Sequence, residues 1–185
     1  MNVLRVLLAA GLWLTGLACA FAQSEPAIKI LYDDARDAMV LDASIDIAAP
    51  PAAVWKVVTD CERAPKFVPN MESCRVVERG ANGADVHETV INYVIVPRIH
   101  TISRTEAEPQ RRVTYTRIGG NMRIADVELS LEPLANGAAT RLSYHSVFAL
   151  TFFVPQFLLH MAAQRDLPAL MKGIERESLA EAGKR

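Results

Sequence analysis

Two adjacent prolines, Pro50 and Pro51, separate a strand-patterned run from a helix-patterned one, and this junction most constrains the chain. Before it, Ile45 and Ile47 alternate with Ser44, Asp46 and Ala48, the period-two pattern of a half-buried strand. Proline has no N–H to give to a β-ladder, yet its fixed φ suits the first turn of a helix. The strand must therefore end where a helix begins. Val54, Val57, Val58 and Cys61 follow at i, i+3, i+4, i+7 and predict a short amphipathic helix. Pro65 and Pro69 bracket Lys66-Phe67-Val68, so a second helical piece must be short. Trp55 and Phe67 are the large apolar groups expected to seat both pieces on a core.

The stretch reads V-W-x-V-x-T-D-x-x-x-x-P-x-F-V-P, carried by Val54, Trp55, Val58, Asp60, Pro65, Phe67 and Pro69, with Pro51 just ahead of it. It resembles the START-like helix-grip superfamily (SRPBCC), in particular the polyketide cyclase/dehydrase and coenzyme Q-binding START-domain branch. The resemblance runs in element order from about Met39 to Leu179. Cys61 stands where an aromatic residue is often found in that family. The motif belongs to the scaffold and carries no catalytic group. What it implies is α+β architecture: a curved antiparallel β-sheet gripping a long C-terminal helix, with two short helices after the first strand.

At 185 residues the chain is expected to form one domain. Residues 1–22 read as a secretory signal peptide: Arg5 is the sole charge, Val6–Leu17 is apolar but short for a membrane span, and Ala20-Phe21-Ala22 offers small residues before a cleavage point. Cleavage after Ala22 would leave a periplasmic or secreted protein. The alternatives are an uncleaved anchor, or a lipid on Cys19, which has glycine where a lipoprotein signal wants leucine. Residues 23–38 read as an N-terminal leader with a short strand-like run at Ile28–Tyr32, and residues 39–182 as the START-like domain. Loss of residues 1–22 removes one base and no acid, leaving 19 basic against 21 acidic groups. A near-neutral chain of this kind gives no electrostatic case for nucleic acid, which is not expected as a partner. After export Cys61 and Cys74 remain as an even pair in an oxidising compartment, so a disulfide is expected. Two buried free thiols are the alternative.

The rest of the chain is punctuated by turns. Asp33–Asp37 is a charged turn that closes a hairpin between Ile28–Tyr32 and Met39–Ile47. Strands are expected at Ser73–Glu78, Val86–Val96, Arg98–Glu106, Arg112–Ile118, Met122–Leu131 and Thr140–Leu150, with Asn136-Gly137 the strongest turn signal. Connections this short force an antiparallel meander. The long helical pattern comes last: Phe157, Leu158, Met161, Leu167, Leu170, Met171 and Ile174 fall near one face. Pro168 inside it predicts a kink or break near Gln164–Leu167. Only this helix is large enough to cover the apolar side of the meander.

Catalytic signatures are absent: no G-x-S-x-G, P-loop or G-x-G-x-x-G occurs. No two of His87, His100, His145 and His160 pair at ligand spacing on one element, so a metal site would have to be assembled across the sheet; none is assigned, and no cofactor is. Strand parity selects the interior. Tyr144 and Phe148 share a face on the last strand, Tyr93 falls with Thr89 and Ile91, Tyr115 and Arg117 fall with Val113, and Arg123 falls with Val127 and Leu129. Tyr93, Tyr115, Arg117, Arg123, Tyr144, Phe148, Phe157 and Met161 are the expected lining of a hydrophobic ligand site, with Arg117 or Arg123 near its mouth. The plainer alternative puts both arginines at strand ends, reaching for water.

The resemblance implies a hydrophobic small-molecule partner (a lipid, an isoprenoid quinone or a polyketide-like molecule) and transient contact with a membrane. Two other functions are carried: a cyclase/dehydrase-type enzyme, in which Tyr and Arg polarise a carbonyl, and a protein-interaction module with a filled core. The enzyme ranks lower because no acid or base is plainly assigned to the inner face. Oligomeric state is left open.

Overall fold

The computed structural model describes residues 24–81, 84–94 and 96–184; the expected signal segment and its cleavage point lie outside them. Eight strands among the described residues form one antiparallel sheet. They are β1 (Ala27–Asp33), β2 (Ala38–Ile47), β3 (Met71–Glu78), β4 (Val86–Ile91), β5 (Ile99–Glu108), β6 (Arg112–Gly120), β7 (Met122–Leu134) and β8 (Ala139–Leu150). The order across the sheet is β1-β2-β8-β7-β6-β5-β4-β3. Helix α1 (Pro51–Val58) and a 3₁₀ turn (Cys61–Lys66) connect β2 to the far edge of the sheet, and α2 (Gln156–Ala182) closes the chain. This is the α+β helix-grip architecture expected from the element order.

Pro51 opens α1 as its first helical residue. Asp60 caps the 3₁₀ turn: its side chain accepts from the Arg63 backbone N–H at 3.1 Å. The Thr-Asp of the motif is thus a structural device. Phe67 and Val54, Val57 and Val58 enter the core, and Trp55 packs partly buried against it.

Alternation along β2 sends Met39, Leu41, Ala43, Ile45 and Ile47 inward. Their partners on β8 are Phe148, Ser146, Tyr144, Leu142 and Thr140. The opposite face carries Asp42–His145 and Asp46–Arg141 contacts. The acids Asp126, Glu128 and Glu132 of β7 sit opposite outward-facing Val147, His145 and Arg141, as parity predicts. The second half of α2 fills the centre with Leu167, Met171 and Ile174 against α1 and the inner sheet face.

Two expectations change. β4 ends at Ile91 instead of Val96; the Asn92 N–H turns to the Asn70 carbonyl at 2.9 Å and leaves the ladder. The break predicted at Gln164–Leu167 is absent, because α2 runs uninterrupted through Pro168. Buried Ala163, Leu167 and Met171 on both sides of the proline anchor the helix, which outweighs one missing hydrogen bond.

The end of α2 is tied down by charge. Glu181 accepts from Arg63 at 2.9 Å, Lys184 at 3.0 Å and Lys56 at 3.3 Å. Hydrogen bonds from Lys184, Arg63 and Lys56 lower its pKa from 4.5 to about 2. A carboxylate held down in the folded state stabilises it fully above the unfolded value, and the contribution disappears as pH falls through the folded one. Glu181→Gln is therefore expected to melt below the wild type at pH 7, the gap closing between about 4.5 and about 2. Melting curves of both proteins across that range check it; a gap independent of pH would contradict the ionic clamp.

Candidate functional site

The inner face of the sheet has two kinds of wall. β2, β8 and β7 contribute Met39, Leu41, Phe148, Val127 and Leu129, an apolar surface. β4, β5 and β6 contribute His87, Thr101, Ser103, Thr105 and Tyr115, all but the last buried. Register explains the grouping: Tyr115 pairs with Thr105, Arg117 with Ser103, and Ser103 with His87, so all five share one face. One side of the interior is greasy and the other offers oriented donors and acceptors, the usual construction of a small-ligand site.

Tyr144, Tyr115, Phe148 and Val127 lie on the inner face and are partly exposed. Burial raises the Tyr144 and Tyr115 phenol pKa values. Where α2 begins, a cavity of about 460 Å³ is lined by Tyr32, Met39, Gln156, Phe157, His160 and Met161. Met39 lies opposite Phe148 across the β2–β8 pair, which links this opening to the inner face.

Each expected site residue now has a place. Phe157 and Met161 do meet at one cavity, but they are 64% and 58% exposed and form an open rim, not an enclosed lining. Tyr144 and Phe148 lie deeper, on the inner face of β8. Tyr115 faces inward, with its hydroxyl donating to the Val58 carbonyl at 2.9 Å. Tyr93 lies beyond the end of β4, so strand parity does not govern it; its hydroxyl donates to Asp166 of α2 at 2.7 Å, where Asn70 and Arg165 also converge. Burial, then the Asp166 bond, raises its pKa. Tyr93 thus fastens the loop after β4 to α2.

The two arginines part company. A bulge between Met122 and Ile124 reverses parity at the start of β7. Arg123 consequently faces out and grips the β1–β2 turn, donating to the Arg36 carbonyl at 2.8 Å and to Asp37 Oδ2 at 2.9 Å. Arg117 keeps its inward parity. Its Nη2 donates to the Gly120 carbonyl at 3.2 Å, while its Nε is buried with no partner. An unsatisfied buried guanidinium N–H is costly.

His87 was missed. It is 6% exposed, its ring lies 5.7 Å from that of Tyr115, and burial lowers its pKa, favouring neutral imidazole. The signal was present, because His87 has the parity of Thr89 and Ile91. The assignment of no acid or base to the inner face is corrected by this residue.

Cys61 and Cys74 form the expected disulfide, with Cα atoms 5.2 Å apart. It joins the 3₁₀ turn to β3 beside this polar wall.

A family model described as polyketide cyclase / dehydrase and lipid transport matches residues 39–181. A comparison with curated protein sequences finds no match. Among solved structures, a START superfamily protein from Mycobacterium smegmatis aligns at 18% identity and a TM-score of 0.64, over 76% of this chain and 97% of that one. The Zhui aromatase/cyclase from a Streptomyces species aligns at 17% identity and 0.64, over 77% and 94%. Human STARD10 aligns at 11% identity and 0.67, over 86% and 71%. At these identities the likeness is one of fold.

Proposed function

The chain belongs to the polyketide cyclase/dehydrase and lipid transport family, and from that premise we propose that it binds a hydrophobic small molecule between the sheet and the first half of α2. One observation carries the reading: the opening of about 460 Å³ where α2 begins is lined by Met39, whose partner Phe148 continues onto the inner face. That face joins an apolar wall to a polar one. The apolar body of a lipid, isoprenoid quinone or polyketide-like ligand would lie along β2, β8 and β7. The exposed apolar side chains of Phe153, Phe157 and Met161 at the open end suit transient contact with a lipid surface. We also place the protein in the periplasm or outside the cell, a reading that the disulfide supports.

Organic extraction of the native protein followed by mass spectrometry tests the binding reading. A stoichiometric lipid or quinone is the expected result. A second reading, an enzyme of the cyclase/dehydrase type, is favoured by the inward imidazole of His87 beside the Tyr115 ring; turnover of a poly-β-keto substrate would establish it. Neither ligand nor turnover would leave the filled-core interaction module.

Met161→Trp gives a second check. Because Met161 is 58% exposed, the larger ring has room and the melting temperature should stay close to the wild type. The ring would also narrow the opening, so uptake of a fluorescent fatty-acid analogue should fall. Unchanged uptake would mean that the ligand enters elsewhere.

A further inference from the structure

We infer that Cys61, Cys74 and His87 form a redox-gated site for a thiolate-seeking metal ion, zinc(II) in the first instance. The two sulfurs and a ring nitrogen of His87 all lie within 4.8 Å of one another, and all three residues are buried. Three elements bring them together: the 3₁₀ turn, β3 and β4. Cys74 pairs with Thr89 and Val76 with His87, so Cys74 and His87 are diagonal neighbours on one face of adjacent strands. Cys61 is held over them by the turn that Asp60 caps.

The third ligand is the histidine. Its side chain is buried and its ring faces the Tyr115 ring on one side. On the other side the imidazole sits against two sulfurs, which are poor hydrogen-bond partners and good metal ligands.

In the oxidised protein the sulfurs are bonded to each other and the site is closed. A dithiol reductant opens it. One thiolate of the reductant attacks a cysteine sulfur, its second thiol resolves the mixed disulfide, and the reductant closes to its own disulfide. Two electrons pass to the protein, leaving Cys61 and Cys74 as thiols. Zinc(II) then displaces both thiol protons to solvent, while neutral imidazole supplies a lone pair and loses no proton. Tetrahedral zinc with Zn–S near 2.3 Å and Zn–N near 2.0 Å needs ligand atoms roughly 3.5–3.8 Å apart. The sulfurs, bonded to each other in the oxidised protein, would separate to that spacing on release, within a cluster that spans no more than 4.8 Å. Two sulfurs and one nitrogen leave the fourth tetrahedral position to water. Thiolate ligands select zinc over magnesium or calcium.

The test uses the mature protein, reduced with a dithiol, desalted without oxygen and titrated with zinc(II), then with cobalt(II) as a spectroscopic probe. The expected result is one metal per reduced chain, none per oxidised chain, and a thiolate-to-cobalt charge-transfer band. His87→Ala should weaken binding by roughly tenfold or more, since even outer-shell partners of metal ligands contribute that much. If reduction loosens the fold, melting temperature supplies the readout: zinc should raise it in the reduced wild type and not in reduced His87→Ala. No metal and no rise in the reduced wild type would overturn the inference. Equal binding by His87→Ala would overturn it too, by reducing the effect to adventitious capture by two thiols.

Discussion

Replacing both Cys61 and Cys74 with serine is expected to cost the oxidised protein about 3 kcal/mol, the chain-entropy value for a loop near fifteen residues. The bridged positions are 13 apart in sequence. The loop they close contains most of the 3₁₀ turn and Phe67, and ends where β3 begins to pair with β4. Without the bridge the unfolded chain regains its freedom there, while the folded chain keeps Phe67 in the core. The loss should therefore appear in unfolding free energy and leave the far sheet edge, β1–β2, unchanged. Denaturant unfolding of the oxidised wild type and the double variant measures it. A loss well under 1 kcal/mol would show that the bridge restricts little. Thiol labelling of the denatured, unreduced wild type should find no free cysteine among these two.

Gly173→Ala should also destabilise, against the helix scale. Alanine in a helix interior is favoured over glycine by about 1 kcal/mol. At this position an added Cβ would lie 2.9 Å from Phe67 Cβ and 3.0 Å from both its Cα and its carbonyl oxygen. Two of those neighbours are backbone, and Phe67 is itself buried, so there is nothing flexible to give way. Overpacking of this kind costs typically 1–3 kcal/mol, with no gain in contacts. The expected net is a loss of up to roughly 2 kcal/mol for alanine, and more for valine, which adds β-branching as well. An alanine variant as stable as the wild type would mean that α2 can slide away from the 3₁₀ turn. That sliding would also displace Phe157 and Met161 at the opening, so uptake of the fatty-acid analogue should be measured alongside stability.

The sequence carried the architecture because its main signals are local. Pro50–Pro51 ends one element and begins another without reference to anything distant. The alternation in β2, the Asn136-Gly137 turn, with both residues at positive φ, and the apolar face of α2 are likewise properties of neighbouring residues. Parity then placed Tyr115, Tyr144 and Phe148 on the inner face correctly. It failed at Arg123, because a single bulged residue reverses every direction beyond it and leaves no clear mark in composition. It failed for Tyr93 in another way: a strand ends when its partner leaves, and Asn70 claimed the N–H of Asn92.

What only the tertiary structure decided is what meets across elements. His87 could have been assigned to the inner face from its own strand, but its neighbours could not. The Cys61–Cys74–His87 triangle depends on a turn, two strands and their register, and no spacing within one segment encodes it. The same holds for the rim at Phe157 and Met161. Helical spacing sets them on one face, but only the seat of α2 on Phe67 and the core decides whether that face looks into protein or into an opening. Local pattern fixes the direction of a side chain relative to its own backbone; packing between elements decides what lies in that direction.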